Sequence, residues 1–210
     1  MFVVVRVIEP SIIGKFNTKS LEAYRFWTNF AAIKSTAIMN TNALSVANYF
    51  IGLAQKENKP ITQLGLMKRV YIAHGFALAL LGRGLLDPRF DKVEAWKYGP
   101  VIPSVYHTFK QYRNNPITEK CVVMEWDEKR NEPTFPTPEL TDKEGKSVAE
   151  MVWKRYSTYT DGQLVDLTHM KGTPWSMCFI EGRNAEIPDV LTEYYYKRIV
   201  DYVNAKSSEQ

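Results

Sequence analysis

Three histidines, His74, His107 and His169, and two cysteines, Cys121 and Cys178, are the side chains of this chain best suited to hold a metal ion. A zinc-like site would have to gather them from distant segments, because none is paired with a second ligand at helical or turn spacing. His74 sits within an apolar helical pattern, where a core histidine satisfied by neighbours is expected instead. Nucleophilic chemistry would need Cys178 or Ser176 to work with His169, seven to nine positions earlier. Cys178 is expected to point into the core among Trp175, Met177 and Phe179, where a thiol is inert. Asp161 reads as a helix-start residue and Asp166 as a solvated one. No phosphate-cradling loop appears. No catalysis, metal or cofactor is therefore expected.

The elements that would position these residues are mostly helical. Ala43, Ala47, Phe50, Ile51 and Ala54 recur at helical spacing, and Lys59-Pro60 closes that run. Thr62 can cap a second helix through Leu64, Met67, Val70, Tyr71, His74, Ala77, Leu78 and Leu81, stopped by Gly82 and Gly84. That helix is apolar almost all round, so it should be central and buried. Residues 85–93 form a connector, and Pro103-Ser104 opens a short helix through Tyr106, Phe109 and Tyr112. The stretch 117–126 alternates in part and is the best strand candidate, followed by a polar hairpin or loop at 127–138. Thr141-Asp142-Lys143-Glu144 and Thr160-Asp161-Gly162-Gln163 both read as capping boxes. Thr173-Pro174 reads as a cap with proline at the first helical position, and Pro188 opens the last helix. The expected fold is mainly α, an α-rich α+β domain with a small antiparallel β element.

The 210 residues suit one domain, and 45% hydrophobic with 24% charged residues is ordinary for a globular protein. The net charge is only +4. Residues 1–38 contain Arg6, Lys15, Lys19, Arg25 and Lys34 against Glu9 and Glu22, and so hold most of that excess. Lys68, Arg69, Lys97, Lys110, Arg113, Lys154 and Arg155 are the remaining candidates for a nucleic-acid face. They are sparse and offset by acids, so a solvated surface is expected. Two cysteines fit a reducing compartment. No run approaches the roughly 20 apolar residues of a bilayer span, and the start is a poor secretory signal, so a cytoplasmic protein is expected. Residues 1–38 are expected to be an upstream extension, with translation starting at Met39; a genuine strand-plus-helix appendage is the alternative. Residues 207–210 are expected to be a frayed tail.

Two segments stand out by type. Glu94 to Tyr106 contains Trp96, Tyr98, Gly99 and Pro100, and Leu167 to Trp175 contains His169, Pro174 and Trp175. Each places rings against a chain that must turn sharply. They are joined in order by Val46 to Ile51, Ile61 to Leu64 and Val70 to Gly75. Taken together the set resembles the Panacea domain family of SocA-like antitoxins, which includes phage-associated GepA-type proteins, over about residues 44–200. The domain would occupy residues 39–206. Where the family has Leu-Gln-Lys-Leu-Leu-Tyr-Tyr, this chain has Leu66-Met67-Lys68-Arg69-Val70-Tyr71-Ile72. The resemblance implies an antitoxin that binds a cognate toxin encoded next to it, without catalysis. It also implies two modes, occlusion of the toxin or its delivery to the ClpXP protease, and a further reading as a prophage accessory interaction protein. The motif residues are Tyr71, His74, Gly75, Trp96, Tyr98, Gly99, Pro100, Tyr106, His169, Pro174 and Trp175, with a structural or a partner-binding role; of these Trp96, Gly99, Pro100, His169, Pro174 and Trp175 are expected to hold two loops together, with direct partner contact as the alternative. Partner contacts are placed on Tyr194, Tyr195 and Tyr196 and on the 127–138 loop, because three consecutive tyrosines cannot all face inward on one helix.

Overall fold

The computed structural model describes residues 42–207. The expectations for residues 1–38, and for the tail beyond Ser207, lie outside the described residues.

Asn42 starts α1 (Ala43–Lys56) through a capping box with Ser45, its side-chain oxygen accepting from the Ser45 amide at 2.8 Å. Ala43, Val46, Ala47, Phe50 and Ile51 make its buried stripe. Thr62 caps α2 (Gln63–Leu81) by accepting from the Gly65 amide at 3.0 Å, and Gly82 ends it in the left-handed region at φ 68°. This helix packs against most of the other helices and is the spine of the fold. At 19 residues it is also long and apolar enough to cross a bilayer, which composition alone did not suggest; 72% of its apolar window is buried inside the protein, as befits a core helix.

The chain then forms β1 (Glu94–Trp96) and β2 (Gly99–Val101), an antiparallel hairpin closed by the Trp96–Gly99 pair. Neither strand was expected from the alternation of residue types, because each has only three residues. Pro103 opens α3 (Pro103–Phe109), which continues as a 3-10 turn to Tyr112. Asp91 fastens this region, its buried carboxylate accepting from the Ala43 amide at 2.9 Å and the Ser104 hydroxyl at 2.6 Å.

Residues 121–138 form a separate unit. Its strands are β3 (Glu125–Asp127) and β4 (Glu132–Thr134), paired antiparallel around a turn in which Asp127 accepts from the Lys129 and Arg130 amides. The strand expected over 117–126 is therefore corrected: only its end is strand, and its partner is the segment expected to be loop.

In α4 (Lys143–Tyr156) the cap is Asp142 rather than the expected Thr141. The Asp142 carboxylate accepts from the Glu144 amide and holds Arg83 at 2.7 and 3.1 Å, which a threonine could not do. Thr160 and Gln163 do form the second capping box, at the start of α5 (Asp161–His169). Thr173 caps α6 (Pro174–Cys178), with proline at its first turn. After β5 (Ala185–Glu186), which pairs with β1 to complete a three-stranded sheet in the order β2-β1-β5, the chain ends its described course in α7 (Asp189–Ser207). Among the described residues this makes seven α-helices with two small antiparallel sheets, a mainly α, α-rich α+β fold.

Candidate functional site

The two motif segments meet at one hub. The β1–β2 hairpin must reverse direction within Lys97 and Tyr98, and Gly99 follows with φ 99°, a conformation that favours glycine. A β-carbon there would also stand 2.6 Å from Lys68 Nζ and 2.9 Å from His169 Nε2. Opposite the hairpin, the turn between α5 and α6 presents His169 and Trp175, whose rings stack at 3.8 Å and 12°. Trp175 donates from Nε1 to the Trp96 carbonyl at 2.8 Å, so one motif is hydrogen-bonded to the backbone of the other. Trp96 in turn donates to Glu94 at 2.7 Å and meets the Tyr106 ring edge-on at 4.9 Å. Pro100 is buried within β2 and Pro174 at the head of α6.

Lys68 reaches the hub from α2. It is fully buried, donating to the Tyr98 carbonyl at 2.6 Å and the Pro100 carbonyl at 3.0 Å. Those bonds clamp the hairpin on either side of Gly99. Burial pushes its ammonium down to about 7. His169 is also held below its ordinary value, first by burial and then by the Lys68 charge. Its Nε2 is buried and makes no hydrogen bond of ordinary geometry, although the Tyr98 backbone lies near it.

The other motif residues of α2 lie elsewhere. Gly75 is where Tyr196 of α7 packs: a β-carbon would stand 2.3 Å from that ring. Tyr71 meets the same ring edge-on at 6.1 Å. Tyr196 is thus a core residue, 5% exposed, and its expected place among surface tyrosines is corrected. Tyr194 is 61% exposed and Tyr195 half-buried, as 3.6-residue geometry divides three neighbours. His74 is a pin. Its Nδ1 accepts from the Leu85 and Leu86 amides at 3.2 and 3.4 Å, which leaves Nε2 to donate to Asp189 at 2.9 Å.

The residues weighed for chemistry are not brought together. His107 lies edge-on against the Tyr106 ring at 5.3 Å. Among the described residues no three His, Cys, Asp or Glu side chains are grouped to hold a metal. Ser176 donates to the Thr173 carbonyl and accepts from the Gly172 amide, which is a turn-stabilising role. Burial raises the Cys178 thiol, which disfavours thiolate. Asp161 accepts from the Thr62 hydroxyl at 2.6 Å.

Lys68 and Arg69, expected on a solvated surface, are instead interior. Arg69 is 4% exposed, donates to the Tyr156 and Tyr159 carbonyls at 2.8 and 3.1 Å, and lies over the Trp153 ring. It closes the C-terminal end of α4, where carbonyls lack helical partners. The available signal was two cations inside an otherwise apolar helical run.

A family model described as antitoxin SocA-like, Panacea domain, matches residues 66–176. That span contains Lys68 and both halves of the hub. The chain is 31% identical over 138 residues to Antitoxin SocA of Caulobacter vibrioides (strain NA1000 / CB15N), covering 66% of this chain and 70% of that protein. No solved structure matches it.

Proposed function

The chain belongs to the SocA-like Panacea antitoxin family, and we propose that it neutralises a cognate toxin, encoded beside it, by direct protein binding in the cytoplasm. The observation that carries this reading is how the hub divides its side chains. The polar groups of Lys68 and Trp175 are spent on holding the two loops together. Large side chains on the same segments face outward: Tyr98 is 64% exposed, Met170 51% and Met177 53%. Rigid segments carrying exposed aromatic and methionine side chains suit recognition of a protein, since such residues are enriched at interface centres.

Within this reading, delivery of the toxin to ClpXP and simple occlusion are alternative modes. Co-expression with the product of the adjacent reading frame tests the proposal. Growth should be restored and the two chains should purify together. Rescue that vanishes in a host lacking ClpX supports delivery, and rescue that persists supports occlusion. Failure to restore growth against every neighbouring toxic protein overturns the proposal and favours an accessory interaction protein with another target.

A further inference from the structure

Two groups that can carry a proton, Lys68 and His169, border one small space at the centre of the hub. The point a β-carbon on Gly99 would occupy is 2.6 Å from Lys68 Nζ and 2.9 Å from His169 Nε2. An ammonium has three N–H groups to place. Lys68 gives two of them to the Tyr98 and Pro100 carbonyls. The third, and the buried His169 Nε2, are the groups of the hub that find no partner of ordinary geometry. With His169 neutral and its proton on Nδ1, Nε2 turns a lone pair toward this space, where it favours the third N–H.

Protonation of His169 reverses that relationship. Nε2 becomes a second cationic donor, and the backbone group near it is Tyr98, whose carbonyl already accepts from Lys68. Two like charges this close repel far more strongly in a buried space than in water. Little else offsets them. Lys68 is in none of the ion pairs formed among the described residues. Asp166 of α5 is the carboxylate that acts on His169, and burial and the Lys68 charge outweigh it. Other charged groups on the elements packed here are engaged differently: Arg69 with the Tyr156 and Tyr159 carbonyls, Glu94 with Trp96, Lys97 over the Tyr98 ring and Asp161 with Thr62. Lys171 in the turn is exposed, His107 of α3 lies against Tyr106, and burial disfavours a Cys178 thiolate in α6.

We propose that Lys68 and His169 form a proton-operated latch: the hub holds one positive charge, and a second, on His169, parts the α5–α6 turn from the β1–β2 hairpin. The force has a path to follow. The His169 ring is stacked on Trp175, and Trp175 is bonded to the Trp96 carbonyl, so moving the imidazole away from Lys68 strains the bond between the two motifs. Tyr98 lies on one of the parted segments and Met170 and Met177 on the other, so opening rearranges the exposed face they share. Acid then weakens partner binding. That consequence rests on the antitoxin reading, whereas the latch rests on the hub alone.

The test follows histidine ring and tryptophan indole resonances of the full chain from about pH 8 to about pH 5. His169 should titrate below an ordinary histidine, and the Trp175 indole N–H should leave its hydrogen-bonded position with the same midpoint. Lys68→Met should raise that midpoint and Asp166→Asn should lower it. His169→Phe keeps a ring on Trp175 without a charge, and should hold the indole resonance in place throughout. A His169 midpoint at or above the ordinary value, or a Trp175 resonance that ignores it, overturns the proposal. So does an indole that still moves in folded His169→Phe. The complex with the adjacent toxin should weaken at least about fivefold across the midpoint in the parent chain and stay unchanged in His169→Phe. A complex that keeps its strength while the indole reports an open latch overturns the coupling to binding and leaves the antitoxin reading standing. Absence of any toxin partner defeats that reading, and the spectra still decide the latch.

Discussion

Gly99 and Lys68 compete for one point in space: a β-carbon on Gly99 would stand 2.6 Å from the Lys68 ammonium. The hairpin therefore needs both its glycine and its buried cation, and each explains the other. Without a side chain at Gly99 the ammonium can reach the carbonyls on either side of it.

Gly99→Ala should destabilise the fold by about 2 kcal/mol, mainly because φ 99° is strained for any side chain, the Lys68 end being able to shift. Chemical denaturation measures this. A change within about 0.5 kcal/mol would show that the hairpin tolerates another backbone conformation.

Lys68 makes stability depend on pH in a stated direction. Its folded pKa of about 7 lies below the ordinary 10.5, so between these values the unfolded chain binds the extra proton. Stability should therefore rise with pH across that window, by roughly 2–4 kcal/mol, with the two carbonyl bonds opposing the full effect. Below about 6.5 His169 acts in the same sense, because its folded value is also depressed. Thermal melts of the parent chain and of Lys68→Met across this range provide the check, and the variant should lose the rise between 7 and 10.5.

His74→Leu should cost about 2–3 kcal/mol, since it leaves the Leu85 and Leu86 amides without their acceptor and Asp189 without its donor. Hydrogen exchange at those two amides should accelerate more than exchange in the middle of α1.

Trp175→Phe keeps a ring against His169 and removes the bond to the Trp96 carbonyl, for a loss of about 1 kcal/mol. Trp175→Ala also removes the stack and should cost about 3 kcal/mol or more. Equal losses in denaturation would mean that the hydrogen bond, rather than the ring, joins the two loops.

Much of the helical fold was legible because its signals are local. Thr62, Thr160 and Thr173 announce helix starts through side-chain oxygens that meet amides three residues on, and Gly82 announces an end. The three-residue strands were not legible, because β1 and β2 are too short for alternation to show. Asp142 displaced Thr141 as a cap through Arg83, a partner 59 positions away. At the hub, the types and order of Trp96, Gly99, His169 and Trp175 marked both segments. Lys68 misled, since a lysine is read as solvated unless something shows the carbonyls it will meet. The tyrosine triplet divided by helical phase, but which member turned inward depended on Gly75 leaving room for the Tyr196 ring.

Neutralisation of a neighbouring toxin is the central claim, and co-expression with the adjacent toxic reading frame followed by purification tests it most directly. The account predicts restored growth and a stoichiometric complex of the two chains that survives size-exclusion chromatography. Unrestored growth, with this chain folded and eluting alone, would contradict it.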